Sequence, residues 1–331
     1  MTYNKIALIF PGQGSQYAGM GKELYDKFQT VRNVYAEASE VVGYDIGDKC
    51  FRKPRLSSSL ILRADLDRTI YTQPAVMVTS YACYRIFEEM CSEMNVPLTA
   101  SFLAGHSLGE YTAMAVSDAM DFRTCLDLVH KRATYITEFS DSYPHAGLMA
   151  IVDRGRELDH VAIDAMAKDA QVYITLINTK NQIVVGGFKK NLEELGKKLK
   201  KEGLIATPLK VEGPFHTPLM KPAADRFRED LDGADIFIAS RPVIANVSVD
   251  AIVDPGHIRK ELYEQIYTCV DWRRTVDKMI SNGADLFIEV GPKKVLSNMI
   301  KDIDPSIPRF NIEDAASLEN TVKELAAEAA L

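Results

Sequence analysis

The sequence predicts an α/β protein, a parallel sheet covered by helices on both faces, with a small β-α-β-β-α-β unit inserted into it. Three observations carry this. Short apolar runs bounded by turn residues alternate with longer stretches of helical periodicity, and strands that alternate with helices pair in parallel. The middle of the chain breaks that alternation by placing two strands in succession. The composition, 47% hydrophobic and 26% charged over 331 residues, is that of a globular chain long enough for two domains, or for one with an insertion.

Taken in order, residues 5–10 form a short apolar run that ends at Pro11-Gly12, as a buried strand would. Residues 23–42 and 75–90 carry helical spacing. Residues 101–105 read as a strand running into a Gly-rich turn, followed by helices over 109–120 and 122–139. Strand-like runs return at 242–247 and 285–290. The middle reads as strand 147–153, helix 157–168, strand 172–178, strand 182–186, helix 190–201 and strand 206–211, the order of a ferredoxin-like unit. The expected division is a large α/β domain from residues 1–139 and 211–331, with a small subdomain at 140–210. At the end, 317–330 places Leu318, Val322 and Leu325 on one stripe, which predicts an amphipathic helix docked on the core.

Several function classes are disfavoured. The net charge of −7 offers no general basic surface for nucleic acid. No apolar run approaches the 18 or so residues of a transmembrane helix, and the run at 5–10 is too short for the core of a signal peptide. Five cysteines (Cys50, Cys83, Cys91, Cys125, Cys269) form no CxxC, and the six histidines show no HExxH spacing, so no metal and no disulfide framework is expected. A reducing, cytoplasmic setting fits best.

The sharpest local signal is Gly105-His106-Ser107-Leu108-Gly109, a GxSxG motif after a strand and before a helix. Glycines there permit a tight turn, and a serine at a helix N-terminus faces free N–H groups that stabilise developing negative charge. A serine hydroxyl needs a base within hydrogen-bond reach. His216, in Gly213-Pro214-Phe215-His216-Thr217, lies in a loop after a predicted strand and is the best candidate. His130 falls inside a helical pattern, and His145, His160 and His257 sit in polar surroundings.

Four motifs then converge. Residues 10–16 (FPGQGSQ), 105–110 (GHSLGE), 213–216 (GPFH) and Val290-Gly291-Pro292, in this order, closely resemble the malonyl-CoA:acyl-carrier-protein transacylases, including the acyltransferases of polyketide synthases. The resemblance runs from Lys5 to about Ile303. It implies a hydrolase-like α/β domain with a ferredoxin-like insertion. It also implies an enzyme that transfers malonyl from malonyl-CoA to the phosphopantetheine thiol of an acyl carrier protein without a cofactor. Carried over position by position, it makes Ser107 the nucleophile and His216 the base. The backbone N–H groups of Gln13 and Leu108 become the oxyanion hole. Gln265 becomes the residue whose carbonyl orients the histidine, and Arg132 the clamp for the malonyl carboxylate. Gln73 is implied near the acyl pocket. A planar guanidinium suits that clamp because it can grip a carboxylate through two parallel hydrogen bonds.

Departures from the family pattern are also visible. Leu176-Ile177-Asn178-Thr179 stands where Asn-Tyr-Asn-Ser is usual, so substrate contacts from that loop are not expected in the usual form. The stretch 55–68 is longer than its counterpart. Phe215 resembles malonyl-selective polyketide acyltransferases, and its ring would crowd a substituent on the malonyl C2. Lys197, Lys198, Lys200 and Lys201 could attract an acidic carrier protein, although a solvated helix face is the plainer reading. The rival activities are a serine hydrolase, which has no use for a buried Arg132 when its esters are neutral, and a non-catalytic scaffold, which would not retain serine, histidine and arginine together.

Overall fold

The computed structural model describes residues 3–52 and 65–329 as helices and loops around two sheets. Strand β1 (Ile6–Phe10) is buried along its whole length. Its side chains divide by parity. Ile6, Leu8 and Phe10 enter the larger core, and Ala7 and Ile9 enter a second core on the opposite face. The helix expected over 23–42 is two helices, α1 (Lys22–Lys27) and α2 (Gln29–Val42). Phe28 interrupts them with an extended backbone, φ −119° and ψ 131°, and its ring packs on the larger core. Helix α3 (Ile46–Phe51) follows. Most of the long stretch at 55–68 lies outside the described residues.

Helix α4 (Thr69–Glu93) begins earlier than expected and runs through Pro74. Strand β2 (Ala100–Gly105) leads into α5 (Gly109–Val116), and α6 (Phe122–Asp141) starts where the Asp121 carboxylate accepts the Thr124 N–H. The small unit follows with β3 (Ala146–Val152), α7 (His160–Asp169), β4 (Tyr173–Thr179), β5 (Gln182–Phe188), α8 (Lys189–Lys201) and β6 (Ile205–Pro208). Its sheet order is β4-β5-β3-β6, antiparallel throughout, and Met149, Ile151, Ile183 and Leu195 lie in a separate core. This is the ferredoxin-like arrangement expected from the strand order. Residues 176–179 therefore belong to strand β4 and not to a loop.

The chain returns through α9 (Lys221–Gly233), β7 (Val243–Ile244), β8 (Ala251–Ile252), α10 (Pro255–Glu264), α11 (Trp272–Ser281), β9 (Leu286–Val290), α12 (Val295–Ile303), β10 (Arg309–Ile312) and α13 (Ala315–Ala329). The large sheet has the order β10-β9-β1-β2-β7-β8. It is the central parallel sheet expected from the sequence, with one antiparallel pair, β7 and β8, at its edge. The run expected at 242–247 contributes only two ladder residues, because Ala245 turns back to bond Asp250 and Asn246 is drawn into the site. Leu318, Val322 and Leu325 of α13 are buried in the larger core. Strands β1, β2 and β7 end side by side, and the carboxyl ends of parallel strands are where α/β sheets place their ligands.

Candidate active site

Ser107 sits at the turn between β2 and α5 with φ 52°, a left-handed conformation that few non-glycine residues adopt. The turn holds because glycines flank it. A Cβ on Gly105 would lie 1.9 Å from the Gly109 carbonyl carbon, and one on Gly109 would lie 2.0 Å from the Phe10 carbonyl oxygen. Gly12 is equally confined, since a Cβ there would lie 2.3 Å from the His106 carbonyl oxygen, so the Phe10–Gln13 turn lies directly against the elbow. Asn246 fixes the elbow from the other side, its Oδ1 accepting the Ser107 N–H at 2.7 Å and its Nδ2 donating to the Gly105 carbonyl at 2.7 Å.

His216 also has a left-handed backbone, φ 59°, and its ring is buried. Strain of this kind persists only where surrounding structure holds it, and here both members of the pair carry it. Nδ1 lies 2.6 Å from the Gln265 carbonyl oxygen, and Nε2 lies 2.8 Å from Ser107 Oγ. A carbonyl only accepts, so Nδ1 carries the proton and the Nε2 lone pair faces the serine hydroxyl. Burial and the nearby Arg132 charge push the imidazole pKa down to about 3, which keeps it neutral and able to take a proton.

Arg132, on α6, is buried with only 2% of its surface exposed. Nη1 donates to Gln73 Oε1 at 2.7 Å and Nη2 to Gln265 Oε1 at 2.9 Å, while the guanidinium lies 5.5 Å from the Tyr111 ring centroid. Nε has no hydrogen-bond partner among the described residues. Burial pulls its pKa down from the ordinary value, and Tyr111 and Glu110 oppose that. An arginine in proteins nonetheless stays charged. The result is a desolvated cation with donors to spare.

These groups share one cavity of about 100 Å³, lined by Gln13, Gln73, Ser107, Leu108, Arg132 and Phe215 among others. That is the scale of a short acyl group, well below the roughly 300 Å³ at which drug-sized pockets begin. Gln13 and Gln73 meet at 3.4 Å, and Gln13 Nε2 donates to Thr69. All eight residues singled out in the sequence are therefore in or against the cavity: seven line it or touch its lining, and Gln265 reaches it through His216 and Arg132. Leu176 also lines it, whereas Asn178 turns to His106 Nε2 at 3.0 Å. The lysines of α8 are exposed and lie off this cavity, and Lys198 pairs with Asp169.

The sequence reading missed Asn246 and Glu110. Asn246 carried a usable signal, since it lies at the carboxyl end of a predicted strand. Glu110 stood within the quoted GHSLGE motif, but a glutamate in a first helical turn is ordinarily a solvated residue, and nothing in the pattern marks it as buried.

Residues 7–325 match the acyl transferase domain family. The malonyl CoA-acyl carrier protein transacylase of Bacillus subtilis is 35% identical over 327 residues, covering 97% of this chain and 98% of that protein. An acyl carrier protein S-malonyltransferase from Vibrio cholerae, solved as a crystal structure, superposes with a TM-score of 0.87 at 34% identity, covering 96% of this chain and all of that one. A structure of a type II PKS acyl-carrier protein in complex with its malonyl-transacylase gives a TM-score of 0.88 at 32% identity, covering 97% of this chain. On sequence and fold together, this chain belongs to the malonyl CoA-acyl carrier protein transacylase family of acyltransferases.

Proposed function

We propose that the protein moves a malonyl group from malonyl-CoA to the phosphopantetheine thiol of an acyl carrier protein, by a ping-pong route through a seryl acyl-enzyme, in fatty-acid or polyketide synthesis. The observation that carries this reading is the buried, donor-rich Arg132 in the same small cavity as the Ser107–His216 pair. In the first half-reaction, Nε2 of His216 takes the hydroxyl proton as Ser107 Oγ attacks the thioester carbonyl. The Gln13 and Leu108 N–H groups receive the charge on the carbonyl oxygen; a donor in such a position contributes about 3–4 kcal/mol to the transition state. Collapse expels the CoA sulfur, which receives the proton from His216. The second half runs in reverse order with the carrier thiol as the attacking group.

Gln265 supplies orientation by its backbone carbonyl, so this is a dyad without a carboxylate on the imidazole. No described helix is long and apolar enough to cross a membrane. The test is direct. Intact-protein mass spectrometry after incubation with malonyl-CoA should show one malonyl adduct on the wild type and none on Ser107→Ala. Added carrier protein bearing its phosphopantetheine should then remove the adduct and gain it. An adduct on the alanine variant, or one that water alone discharges as fast as the carrier does, would refute the transfer reading.

A further inference from the structure

Glu110 is fully buried in the first turn of α5, and none of the roles above uses it. Its Oε1 accepts from the Asn246 N–H at 2.9 Å and from Asn246 Nδ2 at 3.3 Å. Its Oε2 accepts from Gln265 Nε2 at 2.5 Å. We propose that Glu110 is a positioning residue whose carboxylate sets the direction of the Gln265 side-chain amide, and through that amide the attitude of Arg132 toward the acyl carboxylate. This rests on the transfer reading above and deepens it.

The argument is one of hydrogen-bond direction. Each partner of Glu110 is a donor, which suits a carboxylate and leaves no acceptor for the proton of a carboxylic acid. Burial first, and Glu261 second, hold its carboxyl well above the ordinary range against the opposing Asn246 and Gln265 donors and Arg132, so it is the geometry, donors alone aimed at both oxygens, that marks this site as built for the anion. The helix N-terminus also favours the anion. Gln265 is the hinge of the arrangement. Its Nε2 lies between Glu110 Oε2 and the Ser107 carbonyl oxygen at 2.8 Å, and its Oε1 receives Arg132 Nη2. Rotating the amide by half a turn would set oxygen against carboxylate and NH2 against guanidinium. An acceptor-only group at position 110 forbids that state. It also places a negative charge one amide away from Arg132, which offsets the cost of a buried cation while the cavity is empty. Of the guanidinium's five N–H donors, two are engaged by Gln73 and Gln265, and Nε has no partner among the described residues.

Glu110→Gln removes the constraint while keeping shape. A glutamine that still accepts from Asn246 must point its own NH2 at Gln265 Nε2, and the Gln265 amide must turn away from Arg132 to relieve the clash. The experiment measures kcat/KM for malonyl- and acetyl-CoA per active site, titrated by adduct formation, on wild type, Glu110→Gln and Glu110→Asp. The malonyl-to-acetyl ratio should fall about tenfold in Glu110→Gln, the worth of a hydrogen bond to a charged group. Glu110→Asp, which keeps the charge, should recover part of it. Gln265→Met provides a second route if Glu110→Gln does not fold, because it deletes the amide and keeps the backbone carbonyl under His216; the same ratio should fall. An unchanged ratio in a folded variant, or equal losses for both substrates, overturns the proposal. A wild type with no preference for malonyl overturns it together with the transfer reading, and the two failures are told apart before any variant is made.

Discussion

Arg132 holds its charge out of water before any substrate arrives. On the proposed transfer reading, a malonyl carboxylate would pair with it and recover the cost of that burial, whereas an acetyl group would leave it unpaired. Arg132→Ala should therefore lower kcat/KM for malonyl-CoA by about a hundredfold or more, the range for deleting one partner of a buried charge pair. Acetyl transfer or hydrolysis should hold steady or rise. Lysine should rescue only in part, since it lacks the planar fork. Steady-state kinetics on both thioesters decide it, and equal proportional losses would leave Arg132 a structural residue. At this scale the sequence was informative wherever chemistry dictates residue type within a motif, as with Ser107, His216 and Arg132. It was silent on Glu110 and gave Asn246 only a position at a strand end, because the importance of both comes from burial and from partners more than a hundred residues away. A polar side chain looks the same in a sequence whether water or Gln265 satisfies it.

The strand-turn-helix element at 100–116 depends on two missing side chains. Gly109 packs its Cα against the end of β1, and a methyl group there meets backbone, which cannot rotate aside as a side chain can. Gly109→Ala should therefore separate β1 from the elbow and lower stability by about 1–3 kcal/mol or more. The fraction of protein that can be acylated should fall further, because Ser107 and the Phe10–Gln13 turn would no longer share a frame. Thermal unfolding and adduct titration on the same sample test this; a variant with full adduct yield and unchanged Tm would show that the elbow tolerates a side chain. Elements with strong local signals were legible in the sequence: β1 with its two-sided burial, β2, α6 and the whole β-α-β-β-α-β order. Those set by tertiary demand were not. Phe28 leaves the helical path to bury its ring, Asn246 ends β7 early to reach the elbow, and β8 pairs antiparallel only because the chain turns back at Ala245.

For the molecule as a whole, buried titratable groups make stability depend on pH, and two of them act in opposite directions. His216 has its pKa pushed down to about 3, so its contribution is complete above the ordinary imidazole value near 6.5 and is lost as pH falls toward 3. Glu289, on β9 and fully buried, is pushed the other way. Its carboxyl rises from near 4.5 to about 7, chiefly through burial, against the opposing Leu296 and Ser297 N–H groups that it caps at the start of α12. A folded-state pKa above the unfolded value means that the native protein holds the proton more tightly. The stabilising contribution is therefore complete below about 4.5 and disappears as pH rises through 7. Its full size is on the order of 3 kcal/mol. Glu289→Gln cannot ionise, so it should unfold at a Tm that differs from wild type by an amount that changes with pH. Raising the pH from 4.5 to 7.5 should move the difference in favour of the variant. Loss of one capping oxygen adds a constant offset, which the pH dependence cancels, and the His216 contribution is common to both proteins and cancels too. A Tm difference that stays flat from pH 4.5 to 7.5 would mean that Glu289 titrates alike in the folded and unfolded chains, and that the β9–α12 junction holds an ordinary carboxylate.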